Sequence, residues 1–160
     1  MQLKGTAYWA KVLTPVDNYG KDGKEFTIDF VPDEESMERY RAEFGNKKLK
    51  PAVGNNGKPH ASGTDYLKLT RPVKPNLPPV EVVDRAGNPW PKSALIGNGS
   101  AVSLIVSVRE GTLGNGQKWK TPGLNKIRVD EHVPIGEDFE YEDEGNAPAT
   151  TSDEEGWTDA

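Results

Sequence analysis

The chain has 160 residues with 17 Gly, 13 Pro, no Cys and a formal net charge of −5. Its length predicts one domain, the missing cysteines exclude disulfides, thiolate metal sites and cysteine nucleophiles, and no apolar run matches a signal peptide or the roughly 20 residues of a membrane helix, so a soluble, unexported protein is expected. The charge is unevenly placed: all 20 Lys and Arg lie at or before Arg128, giving residues 1–129 a charge of +7, whereas residues 130–160 hold twelve Asp or Glu and no Lys or Arg. A basic body with an acidic end points to a tail that competes with another polyanion, most commonly nucleic acid.

Strand signals dominate the body and are separated by Gly, Pro and Asn. Residues 3–14 read as a first strand with Tyr8, Ala10 and Val12 on one side and Ala7, Trp9, Lys11 and Leu13 on the other. A turn over 17–23 leads to a second strand, where alternation sends Phe26, Ile28 and Phe30 to the core and Glu25, Thr27 and Asp29 to water. Asp33 as cap, Glu34 and Glu35 in the first turn and the Gly45 stop predict a helix to Phe44, with Met37, Tyr40 and Phe44 on its apolar face.

Residues 45–63 lack periodicity and carry Lys47, Lys48, Lys50 and Lys58, which predicts a mobile basic loop. A third strand covers 65–71 with Leu67 and Leu69 inward, and the Pro-rich stretch 72–79 ends it. A short strand over 80–83 precedes the 85–89 turn and Trp90. The clearest strand, 101–109, has an apolar stripe of Val102, Leu104, Val106 and Val108, and the last, 126–129, buries Ile127 and Val129. Gly97-Asn98-Gly99 and Gly114-Asn115-Gly116 are turn signals. These elements predict a mainly β domain over 1–133: a five-stranded oligonucleotide/oligosaccharide-binding (OB) barrel with one helix after the second strand. Residues 134–160 then form an acidic tail whose composition predicts disorder.

Aromatic residues and cations recur together on the outward positions: Trp9 with Lys11, Tyr66 with Lys68, then Arg109, Lys126 and Arg128. Trp90 near Lys92, and Trp119 between Lys118 and Lys120, repeat the pattern in loops, and Arg71 closes the third strand. Single-stranded nucleic acid suits such a set, because unpaired bases stack on aromatic faces while Lys and Arg neutralise phosphates. Any one of these tryptophans is equally at home in a β-barrel core; Trp119, flanked by lysines, fits a binding role best, and Tyr8 and Phe26 fit the core. No metal or cofactor site is read: the glycine turns lack a phosphate-loop sequence, and residues 17–23 put Tyr19 and Lys21 where a calcium loop needs oxygens. Neither His60 nor His132 sits in a catalytic motif, so no enzyme is expected.

Lys4-Gly5-Thr6-Ala7, the segment Ala94-Leu95-Ile96-Gly97-Asn98-Gly99-Ser100 before the Val102 strand, and the acidic tail bearing Trp157 near its end resemble the replicative single-stranded DNA-binding proteins of short-tailed virulent bacteriophages. The resemblance implies an OB fold, sequence-independent binding of single-stranded DNA in phage replication, recombination and repair, and location in the cytoplasm of the infected host cell. It also implies a tail, with Phe139, Tyr141 and Trp157 as its contact residues, that engages replication proteins such as polymerase and helicase, covers the DNA groove and supports homodimers. In this chain Thr158-Asp159-Ala160 follow Trp157, where the family pattern tends to end on the aromatic. An RNA-binding OB domain, and an interaction protein whose acidic tail docks on a basic partner, are the alternative readings.

Overall fold

The structure, a computed structural model, describes residues 1–17 and 23–135. The acidic tail with Phe139, Tyr141 and Trp157, and most of the 17–23 turn, lie outside the described residues. In chain order the elements are β1 (Gln2–Asp17), β2 (Lys24–Pro32), α1 (Glu34–Phe44), β3 (Leu49–Lys50), β4 (Tyr66–Pro72), β5 (Glu81–Val83), β6 (Ser100–Thr112) and β7 (Lys118–Glu131). The fold is mainly β with one helix after the second strand. Five long strands, β1, β2, β4, β6 and β7, carry it, and β3 and β5 extend the two edges in the order β3-β4-β2-β1-β6-β7-β5. All pairs are antiparallel except β5 with β7.

Among the described residues no ladder closes the sheet. Its two flanks meet instead at Arg71 of β4, whose Nη1 donates to Leu124 O of β7 at 3.1 Å and to Asn125 Oδ1 at 3.0 Å. Nε of the same side chain donates to Pro78 O at 2.7 Å, which also fastens the proline-rich connection. The core lies inside this curl: Leu3, Ala7 and Val12 of β1 pack with Phe26, Ile28 and Phe30 of β2, Leu67 and Leu69 of β4, and Val102, Leu104 and Val106 of β6. Leu124, Ile127 and Val129 of β7 complete it, joined by Tyr40 and Phe44 from α1. Burial pushes the Tyr40 phenol up to about 12, and its hydroxyl donates to Lys47 O.

The helix is placed by its own first turn. Asp33 caps it through Oδ1, which accepts from Ser36 N at 2.8 Å; Asp33 N donates to Lys4 O, and Lys4 N donates to Ser36 Oγ, each at 2.8 Å. The capped end is thereby bound to β1 beside Gly5. A Cβ at Gly5 would lie 2.1 Å from Val31 O, a separation no side chain tolerates.

Several expectations need correction. The strict alternation read over 3–14 fails, because Ala7 and Val12 are both buried. A bulge between Tyr8 and Lys11 shifts the phase, with Trp9 at φ 47 and its N–H donating to Asn98 Oδ1 at 2.8 Å. Tyr8, expected in the core, is half-buried on the outer face. On β2, Thr27 and Asp29 are buried rather than turned to water. Val108 is exposed, so the stripe of β6 ends at Val106. β7 begins at Lys118, eight residues before the predicted 126, and runs through Pro122 and Gly123. They are tolerated because the backbone ladder of that half of β7 runs on one edge only, with β6, leaving the other edge free of strand pairing.

Two stability measurements follow. Gly5→Ala should lower the stability by about 3 kcal/mol through overpacking, read as a fall in Tm. Asp33→Ala should cost about 1 kcal/mol at pH 7 as a lost helix cap. The hydrogen bond from the Ser36 backbone holds the Asp33 carboxyl below its ordinary value. Its contribution is therefore complete above about pH 4 and is lost as pH falls through the folded-state value, so the melting curves of wild type and variant should converge in acid.

Candidate nucleic-acid interface

The longest hairpin of the sheet, β6 and β7, presents one outer face. Opposite residues Gly111 and Trp119 pair across it, and the indole lies over the glycine: a Cβ at Gly111 would stand 2.6 Å from Trp119 Cζ2. Trp119 is 37% exposed, a large apolar group seated on backbone with its remaining surface open to solvent. The turn around Gly116, at φ 87, brings the two strands into this register, with Leu113 N donating to Gln117 O at 2.7 Å.

One pleat repeat along β6, about 7 Å from Gly111, Arg109 occupies the same face. Gly123 lies beside it, and a Cβ there would meet Ser107 Oγ at 2.7 Å and Arg109 Cδ at 3.0 Å. A cleft of about 590 Å³ opens here across the seam between β4 and β7, lined by Thr70 and Arg71, Lys74 and Asn76, and Ser107 and Arg109. Arg109 and Lys74 make no ion pair among the described residues. An aromatic face thus stands next to a cleft with two uncommitted cations and the amide and hydroxyl groups of Asn76, Asn125 and Ser107, a set able to stack a base and hold phosphate oxygens.

A second surface is the outer side of β1, β2 and β4. Tyr8, Asp29 and Lys68 align across the three strands, and Lys11, Thr27 and Thr70 make another rung, with Thr70 reaching the cleft. Tyr66 lies two residues before Lys68 on β4 and pairs with Lys50 of β3. Burial, and then the Asp29 carboxylate, raise the Tyr66 phenol above its ordinary value. Lys68 Nζ sits 3.5 Å from Asp29 Oδ1.

The structure does not bring all the predicted residues together. Lys126 and Arg128 continue the β6–β7 face but are paired, Lys126 with Glu81 at 3.8 Å and Arg128 with Asp130 at 2.6 Å. Arg71 lines the cleft while its donors are committed to the seam. Trp119 belongs to β7 rather than to a loop, and strand alternation separates it from its lysine neighbours: Lys120 meets Glu43 of α1 at 2.6 Å, and that hydrogen bond raises its pKa. Lys118 is exposed at the start of the strand. Trp90 is half-buried against the core, its Nε1 donating to Ala94 O at 2.7 Å and its ring edge-on to His132, with Lys92 exposed beyond it. Trp9, 53% exposed, stands apart with Lys11 beside an apolar groove that includes Leu95, Ile96 and Ile135.

Lys74, Asn76, Ser107 and Asn125 were not legible as site residues. Lys74 and Asn76 sit in a proline-rich stretch whose sequence signals only the end of a strand, and their approach to β6 and β7 depends on Arg71.

No protein-family model matches the chain, and no curated protein sequence does. Solved structures do match in fold. The single-stranded DNA-binding protein of bacteriophage Enc34, in complex with single-stranded DNA, aligns at TM-score 0.55 and 12% identity over 84% of this chain and 89% of that one. Gp2.5, a single-stranded DNA-binding protein encoded by bacteriophage T7, aligns at TM-score 0.53 and 18% identity over 89% of this chain and 97% of that one. A C-terminally truncated form of the Enc34 protein aligns at TM-score 0.53 and 12% identity, covering 84% and 88%. The fold is therefore one shared with phage single-stranded DNA-binding proteins, as the sequence resemblance implies.

Gly111→Ala should push the Trp119 ring off its seat, since the new methyl group meets the rigid indole rather than a flexible side-chain end. The Trp119 indole N–H resonance should move while the Tm changes little; an unmoved resonance means that the ring does not rest on Gly111.

Proposed function

We propose that the protein binds single-stranded DNA without sequence preference and without catalysis, as a phage protein of replication, recombination and repair in the cytoplasm of the infected host cell. The observation that carries this reading is the pairing of exposed Trp119 with the cleft of Arg109 and Lys74, on a fold shared with a protein solved in complex with single-stranded DNA. The indole and cleft contact bases and phosphates of any sequence, because every base has a π-face and every nucleotide a phosphate.

The acidic segment adds regulation to this reading. Its negative charge competes with DNA for the basic body, Phe139, Tyr141 and Trp157 contact replication proteins such as polymerase and helicase, and the same segment supports a homodimer. Support for this part comes from the division of charge at residue 129 and the sequence resemblance.

Fluorescence titration with oligothymidine tests the binding. Wild type should show tryptophan quenching and an affinity that falls steeply with salt. Trp119→Ala should weaken binding about tenfold, within the 1–3 kcal/mol typical of base stacking, with Tm unchanged. Arg109→Ala should make the negative slope of log K against log salt shallower by about 0.7. Salt-independent binding, or none, rejects the proposal, and tighter binding of oligouridine assigns the surface to RNA. A chain ending after Val133 should bind DNA more tightly than the full chain at low salt; equal affinity removes the tail from the groove.

A further inference from the structure

Residues 51–64 form an irregular arm between β3 and β4 where the sequence predicts a mobile basic loop. It is closed on itself: Gly54 N donates to Lys58 O, His60 N to Ala52 O, and Ala52 N to Asp65 Oδ1 at its root. Among the described residues, the one hydrogen bond between this arm and the strands beneath it is that of the His60 ring with Asp29 of β2, Nε2 to Oδ2 at 2.9 Å. Both side chains are almost fully covered, at 8% and 9% exposure. Nδ1 lies 2.8 Å from Ser62 Oγ and 3.1 Å from Ser62 N, so both ring nitrogens have hydrogen-bond partners.

The imidazole lies flat on Tyr66, with centroids 3.8 Å apart and planes 19° apart, while Tyr8 presents its edge at 5.7 Å and 71°. Stacking on one aromatic, flanking by a second and an in-plane hydrogen bond to a carboxylate are also the means by which a protein holds an unpaired base. The lining groups, Tyr8, Asp29 and Tyr66, all belong to the sheet. The filler comes from an arm attached through that single side chain.

We propose that Tyr66, Tyr8 and Asp29 form a nucleobase subsite that His60 fills in the free protein, and that a DNA base takes the place of the imidazole on binding. The inference rests on the single-stranded DNA reading and names a site in addition to Trp119 and the cleft. Asp29 offers an acceptor, and each of the four bases carries at least one N–H on its Watson–Crick edge: thymine N3, guanine N1 and N2, cytosine N4 and adenine N6. One carboxylate therefore suits binding without sequence preference. Release of the arm also frees Lys58 to follow the backbone of the strand.

The test is NMR of the full chain, with the His60 ring protons assigned by comparison with His60→Gln and followed as oligothymidine is added. Their free-state resonances should be displaced by the Tyr66 ring current and should move to the position of an exposed histidine at saturation. Tryptophan quenching reports independently whether a complex has formed. Quenching with unmoved His60 resonances overturns the subsite while leaving the DNA reading intact, whereas no quenching at all overturns both. In parallel, His60→Ala should tighten binding about tenfold, the worth of one charge-assisted hydrogen bond, and the gain should vanish in the Tyr66→Ala background. Weaker binding by His60→Ala, with its fold intact by circular dichroism, would make the arm a fixed wall of the site and reject the proposal.

Discussion

The passage of β1 against the end of β2 at Gly5 is the constraint on which the rest of the structure depends. With no Cβ at residue 5, the Val31 carbonyl and Pro32 lie directly on the β1 backbone, and the chain leaves β2 into the helix within three residues. Asp33 and Ser36 then exchange hydrogen bonds with Lys4, so the helix start is sewn to the strand it has just crossed. The same β1 residues pair with β6 on their other edge, Gly5 opposite Val102, and β6 brings in β7. Any side chain at residue 5 would separate β1 from β2 and loosen the helix, the sheet and the outer faces together.

The second determinant is the bulge after Tyr8. It lets β1 leave β6 while continuing along β2, and it works because the Gly97-Asn98-Gly99 turn fills the space β1 vacates. Asn98 Oδ1 accepts from Trp9 N, Gly99 N donates to Ala7 O, and Gly97 N donates to Val133 O where the chain leaves the body. A left-handed tryptophan costs on the order of 1–2 kcal/mol, and these bonds offset it. The result sets Trp9 away from Tyr8, its neighbour in sequence, and leaves Tyr8 to face Asp29 and His60.

Electrostatics divide the surface according to what each cation meets. Arg71, Lys120 and Arg128 satisfy carbonyls or carboxylates of the body, where they hold elements together. Arg109 and Lys74 have no such partner among the described residues and sit beside an exposed indole. Thirteen aromatic and basic residues drawn from the sequence as one surface are in this way separated into the face of Trp119 and its cleft, the outer side of β1, β2 and β4, a set of structural ties and two outlying tryptophans.

Local chemistry alone determined much of this protein. The inward apolar positions of β2, β4 and β6 as far as Val106, the Asp33 cap, the Gly45 stop and both Asn-Gly turns are legible because each depends on neighbours a few residues away. The charge boundary at residue 129 is legible for the simpler reason that it is composition. Only the tertiary structure decided the phase of β1 beyond Tyr8, the burial of Asp29 beneath His60, the length of β7 and the meeting of Lys74 with Arg109. These depend on partners 31 residues distant for His60 and Asp29 and 89 for Trp9 and Asn98. A bulge is stabilised by the loop that fills it, and a buried carboxylate by the ring that covers it, so neither leaves a mark on the periodicity of its own strand.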